Sequence, residues 1–118
     1  MAGTLRVVNK TRGTELGNAV RPATTFWSRL VGLLGRSGLK PGEGLYISPC
    51  SSVHTAFMRF AIDVIYIDSS NRVIKTVPVM RPFRASAAFG RDRSVLELPA
   101  GTIEASGTEP GDELAIDG

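Results

Sequence analysis

The chain has one cysteine, Cys50, and one histidine, His54, among its 118 residues. A single cysteine excludes an internal disulfide and every multi-cysteine zinc site. A single histidine excludes a His-rich metal centre built within one chain. Long apolar runs are also missing: no stretch of about 18 apolar residues could be read as a membrane-spanning helix. Met1 to Lys10 has neither a long apolar segment nor a small-residue cleavage site. It is therefore not read as a signal peptide, and a cytoplasmic location is expected. An excess of charge of one sign is also missing: the net value of +3 is mild and does not by itself establish nucleic-acid binding, and a nucleic-acid partner is not the leading expectation. There is no phosphate-cradling glycine loop, dinucleotide fingerprint or Ser–His–Asp order, and Gly42-Glu43-Gly44 reads as a turn. No cofactor and no metal site is implied.

Hydrophobic residues at 42% and charged residues at 21% give the balance of an ordinary globular protein, so a single domain over residues 1–118 is expected. With 13 glycines and 7 prolines the sequence favours turns over long helices. Leu5 to Asn9 and Glu15 to Val20 read as a hairpin about the turn Lys10 to Gly13. Thr24 to Gly35 reads as the main helix, with Phe26, Leu30, Leu33 and Leu34 on one face. Leu45 to Ser48 is a short strand stopped by Pro49. Ile62 to Ile67 is apolar on both faces, as a strand covered on both sides would be. Asp68 to Asn71 is a turn, Arg72 to Val79 the returning arm, Arg81 to Arg93 a loop and Ser94 to Leu98 a strand. Pro99 to Ser106 holds a helical turn, and Glu113 to Ile116 is the last strand. Seven to eight short strands and one main helix make the fold class mostly β: an antiparallel sandwich or open barrel with a helix packed against it.

Several motifs carry a family likeness in order along the chain. They are Phe26 with Arg29 to Arg36, Gly42 to Leu45 with Ile47 and Pro49-Cys50, and Val53-His54-Thr55 with Phe57-Met58 and Ile62-Asp63-Val64. Val95 to Gly101 and Gly111-Asp112 close the set. From about Leu5 to Ile116 the sequence resembles the domain of unknown function 192 family (DUF 192). Ala56 stands where the family commonly has an aromatic residue, and Ala61 where it commonly has a proline. The resemblance implies a compact β-rich fold and brings no function or catalytic residue with it.

Two groups of residues could carry chemistry. The first is a candidate pocket of His54, Met58, Arg59 and Asp63. If the strand continued, His54, Ala56, Met58 and Phe60 would share a face. A histidine within reach of a carboxylate could transfer protons, which makes His54 and Asp63 the catalytic candidates. Asp63 lies inside an apolar run, where a carboxylate needs partners, and Arg59 or Arg29 could supply the charge. The competing reading is structural, an aspartate that accepts backbone N–H bonds and holds a loop. Cys50 reads as a small core residue rather than a nucleophile. His54, Met58 and Cys50 would suit copper, but nothing fixes their geometry, and Met58 beside two phenylalanines reads as core.

The second group is the segment Arg81 to Arg93, where Arg81, Arg84, Arg91 and Arg93 interleave with Phe83 and Phe89. Such a loop could grip RNA, single-stranded DNA or an anionic small molecule, with Asp92 partly offsetting its charge. The competing reading is a solvated loop anchored to the core by its phenylalanines. The acidic stretch Thr102 to Glu113 would then lie opposite the arginines and neutralise them. The leading expectation is a small binding or accessory module for a small anionic ligand or a protein partner. The alternatives are a small enzyme using His54 with Asp63, and a structural homodimer that pairs an exposed sheet edge.

Overall fold

The computed structural model describes residues 3–23, 37–56 and 58–118. The helix expected over Thr24 to Gly35 lies outside the described residues. Among the described residues there are nine strands and one short helix: β1 (Leu5–Asn9), β2 (Thr14–Ala23), β3 (Glu43–Ile47), β4 (Ser52–His54), β5 (Ile62–Ile67), β6 (Val73–Met80), β7 (Ala85–Ala87), β8 (Ser94–Pro99), α1 (Thr102–Ser106) and β9 (Leu114–Asp117). Seven of the strands form one sheet in the order β6-β5-β8-β3-β2-β1-β9, and β4 and β7 form a two-stranded ribbon. The large sheet curls into a half-barrel. The expectation of an antiparallel sheet holds everywhere except at β2 and β3, which pair in parallel. Strands in that relation need a long crossover rather than a tight turn, and the connection over residues 24–42 supplies it.

The curl is held at the seam between the two edge strands. Arg72 and Glu113 form an isolated bridge. Val73 N–H donates to the Asp112 carbonyl at 2.8 Å, and Leu114 N–H donates to the Asn71 carbonyl at 2.9 Å. The two faces of the curled sheet bury separate cores. Val7, Val20, Ile65, Ile67, Leu96, Leu98 and Ile103 fill the inner one. Leu45, Ile47, Ile62, Val64, Tyr66 and Val95 belong to the outer one, together with Val53 and Ala88 from the ribbon. Strand β5 is buried at all six positions because it lies between the two cores, so its side chains alternate between two apolar layers.

A clasp joins the first hairpin to the last turn. Asn9, fully buried, donates to Thr108 Oγ1 at 3.1 Å and to Asp112 Oδ2 at 2.9 Å. Arg12 Nε donates to the same carboxylate at 3.0 Å and an Arg12 Nη reaches Glu109 Oε2 at 2.6 Å. The Arg12 guanidinium bond, with help from Asn9 and the Glu109 N–H, lowers the Asp112 carboxyl to about 2. A depressed carboxylate stabilises the fold above its unfolded value of 3.8 and loses that contribution as pH falls toward about 2. Melting temperature measured between pH 2 and pH 5 should therefore fall less steeply in Asp112→Asn than in the wild type. Parallel curves would remove Asp112 from the acid transition.

Candidate functional site

The ribbon is built onto the outer core. His54 lies opposite Ala85 and Val53 opposite Ser86. The Tyr66 hydroxyl, from β5, bonds Ser86 Oγ at 2.7 Å, and Lys75 Nζ donates to the Ala87 carbonyl at 2.7 Å. Thr55 fastens one end. It is fully buried, its N–H donates to the Arg84 carbonyl at 2.8 Å, and its hydroxyl donates to the Arg81 carbonyl at 2.6 Å and accepts from Arg84 N–H at 2.9 Å. Its own carbonyl accepts from Phe83 N–H at 3.0 Å. Nothing in the sequence reading singled out Thr55. The only signal was its place in the Val53-His54-Thr55 motif.

Thr55, Ser86 and Lys75 hold the ribbon down, so Phe89 is not needed as an anchor. Phe89 is 92% exposed, which overturns the reading that it ties the segment to the core, and Phe83 is 65% exposed. The segment is also not a plain loop, since β7 runs through it. Nor does the acidic stretch neutralise it. Glu109 and Asp112 pair with Arg12, and Glu113 pairs with Arg72 and Lys10. Among the described residues, none of Arg59, Arg81, Arg84, Arg91 and Arg93 has a carboxylate within ion-pair distance. Arg59, Arg81, Arg84 and Arg91 are exposed, and so is His54 beside them at the end of β4. Arg93 is half-buried and lies against Gly90, whose φ of +128° and missing Cβ admit the guanidinium.

Backbone strain accompanies this surface. Val79 has φ +49° and Phe83 φ +61°, conformations that bulky side chains rarely adopt. Both N–H groups are held from below. Phe83 N–H is bound by Thr55, and Val79 N–H donates to Asp63 Oδ1 at 2.8 Å. Such conformations cost on the order of 1–3 kcal/mol and persist only when the surroundings fix them.

The structure does not bring the other sequence candidates together. Asp63 shares the inner row of β5 with Ile65 and Ile67, is fully buried, and spends its second oxygen on Ile103 N–H at 2.7 Å. Its partners are backbone groups, not Arg59 or any other described arginine. His54 sits on the ribbon over the opposite face of the sheet. Strand β4 stops at His54, and the chain turns at Ala56. His54, Met58 and Phe60 therefore do not continue one strand face. Met58 is buried in the outer core, and Arg59 faces solvent.

A second buried acid was not singled out by the sequence. Glu97 of β8 lies between Leu45 and Val64 on the outer-core face and is 5% exposed. Burial raises its carboxyl to about 7. The rule that marked Asp63, a carboxylate inside an apolar run, would have marked Glu97 in the run Val95 to Leu98 as well. Burial likewise raises the Tyr66 hydroxyl above its ordinary value. Cys50 is half-buried, its thiol donates to the Ser52 carbonyl at 3.0 Å, and it lines a cleft of about 370 Å³ with Ser51, Ser52, Gly90, Asp92 and Arg93. That cleft lies at the foot of the ribbon's Phe89 end. A larger cleft of about 550 Å³ lies between Gly42 and Thr102. The hydroxyls of Thr14, Thr102 and Ser106 there already donate to backbone carbonyls, and Glu15 pairs with Arg6.

The sequence profile of the DUF192 family, described as an uncharacterized ACR, matches residues 7–116. A UPF0127 protein of Pyrococcus furiosus is 37% identical over 114 residues, covering 92% of this chain and 95% of the relative. A UPF0127 protein of Pyrococcus horikoshii is 33% identical over 114 residues, covering 92% and 96%. Two solved structures share the fold. A protein of unknown function from Novosphingobium aromaticivorans matches with a TM-score of 0.80 at 21% identity, covering 94% of this chain and 82% of that one. A putative transcription regulator from Sinorhizobium meliloti matches with a TM-score of 0.78 at 23% identity, covering 95% and 91%. No described helix is long and apolar enough to cross a membrane.

Proposed function

The chain belongs to the DUF192 family, described as uncharacterized, and from that premise we propose that it is a binding module whose β4–β7 ribbon holds an anionic ligand or an acidic partner. One observation carries the reading. Five arginines with no carboxylate partner among the described residues cluster at and around a ribbon that presents Phe83 and Phe89 to solvent. Glu15, Glu109, Asp112 and Glu113 are paired with other cations, and Asp92, between Arg91 and Arg93, offsets the positive face only in part. Arginine forks bind carboxylates and phosphates bidentately, and arginine with aromatic residues is the composition of recognition surfaces rather than of idle ones. The reading of a small enzyme has less support, because Asp63 uses both oxygens on backbone N–H groups across the sheet from His54.

The test is a titration of labelled inorganic polyphosphate and labelled polyglutamate, followed by fluorescence anisotropy at several salt concentrations. Binding is expected to weaken steeply with salt. The double variant Arg84→Ala/Arg91→Ala should weaken it at least tenfold and flatten the salt dependence, with the melting temperature unchanged because both side chains are exposed. Salt-insensitive binding, or equal binding by the variant, would sink the reading.

A further inference from the structure

We propose that a cleft at one end of the three central strands binds a neutral polyhydroxylated ring, a sugar or a cyclitol, through its neighbouring hydroxyl groups. Strand β8 lies between β5 and β3, with Ser94 opposite Ile67 and Val95 opposite Ile47. The ends of β5 and β3 and the start of β8 therefore meet. A cleft of about 300 Å³ opens there, lined by Tyr46, Ser48, Asp68, Asn71, Asp92 and Arg93. Small-molecule pockets span about 300–1,000 Å³, so this one suits a single ring.

The polar groups of the cleft are held in place but not used up. Ser94, itself buried, donates to Ser48 Oγ at 2.9 Å, and the Tyr46 hydroxyl points at Ser94 Oγ at 3.5 Å. Donation runs toward Ser48, whose own proton has no acceptor among the described residues. Asp68 Oδ1 accepts from Ser70 N–H at 2.9 Å and from Arg72 N–H at 3.0 Å, while Oδ2 has no bond among the described residues. The Asn71 backbone is fixed by its N–H on the Asp68 carbonyl and its carbonyl under Leu114 N–H, which leaves the side-chain amide available. Arg93 Nε donates to the Phe89 carbonyl at 3.2 Å and steadies the guanidinium. Asp92 is exposed and makes no ion pair among the described residues.

Charge selects the ligand class. An anion would face the Asp68 and Asp92 carboxylates, and a metal cation would face Arg93. Among the described residues no group of three His, Cys, Asp or Glu side chains could hold a metal ion. An apolar ligand would take water from the polar groups and return no hydrogen bond. A hydroxylated ring brings no charge, and each of its hydroxyls both donates and accepts. Carboxylate, amide and guanidinium are planar groups with two polar atoms side by side, a shape that can engage two adjacent hydroxyls at once. Asp92, Asn71 and Arg93 supply all three at one cleft.

The experiment follows the backbone amides of the full chain by NMR during titration with D-glucose, D-mannose, D-galactose and myo-inositol, each to about 100 mM. That limit lies well above the dissociation constant on the order of 1–10 mM expected for so small a ligand. At least one of the four should shift Ser48, Asn71 and Asp92, with an affinity that does not change with salt because the ligand is uncharged. Asp92→Gly removes the carboxylate at a φ of +55°, which glycine adopts freely. It should weaken binding at least fivefold with the melting temperature unchanged. Sodium phosphate and calcium chloride are titrated in parallel. Silence with all four rings, shifts confined to other residues, or binding indifferent to Asp92→Gly overturns the proposal. Shifts of the same amides by phosphate or calcium alone overturn it too. None of these results bears on the anionic face, whose binding must fall steeply with salt.

Discussion

Asp63→Asn is expected to destabilise the fold by about 3 kcal/mol, and Asp63→Ala by about 3–5 kcal/mol. The carboxylate accepts from two backbone donors. Oδ1 takes Val79 N–H at 2.8 Å, and Oδ2 takes Ile103 N–H at 2.7 Å in the first turn of α1. An asparagine keeps one acceptor, but its Nδ2 turns a donor toward a donor. An alanine leaves both N–H groups unsatisfied, each costing about 1–3 kcal/mol where water cannot reach. The damage should be local as well as global, because Asp63 ties the end of β6 to α1. Hydrogen exchange at Val79 and Ile103 should accelerate before the rest of the sheet opens. In a chain of this size, 3 kcal/mol corresponds to a fall in melting temperature of roughly 12 °C. A loss under about 1 kcal/mol for Asp63→Ala would show that the two N–H groups find other partners.

Glu97 should make the protein less stable as pH rises, the reverse of Asp112. Its carboxyl stands at about 7 in the fold against 4.5 when unconstrained. A raised folded value means that the stabilising, protonated form is complete below about pH 4.5. The contribution is then lost as pH rises through 7 and stays lost above it. The shift corresponds to about 3 kcal/mol between those limits. Glu97→Gln carries no titrating group at this position and resembles the protonated acid in size. The variant should match the wild type near pH 4.5 and exceed it by about 3 kcal/mol at pH 8, measured by urea unfolding at each pH. The difference between the two proteins cancels every other titrating group. A difference that does not change with pH would mean that Glu97 is ionised within the fold without cost.

The parts of the fold legible in the sequence were those set by neighbours along the chain. The β1–β2 hairpin shows alternating apolar residues about the turn Lys10 to Gly13, and Asp68 to Asn71 joins β5 to β6 through residues suited to tight turns. Strand β5 declared its burial on both faces through six positions with only Asp63 polar. The ribbon was not legible. Its strands have three residues each, too short for a period to register, and they pair across some thirty residues. The parallel pairing of β2 with β3 is equally non-local. Asp63 was flagged correctly as an acid that must have partners, but its partners are N–H groups of Val79 and Ile103, which every residue type offers. Phe89 misled because hydrophobic residues are expected inside, and the bonds of Thr55, Ser86 and Lys75 explain why it can remain outside.

The most direct test of the anionic surface is to map it. Backbone amide shifts of the labelled protein would be followed by NMR while inorganic polyphosphate is added at low salt. Perturbations are expected to concentrate at His54, Arg59 and residues 81–93, with the inner core and the cleft between Gly42 and Thr102 silent. Shifts centred on that cleft, with residues 81–93 unmoved, would contradict the assignment and place the binding surface at the cleft instead.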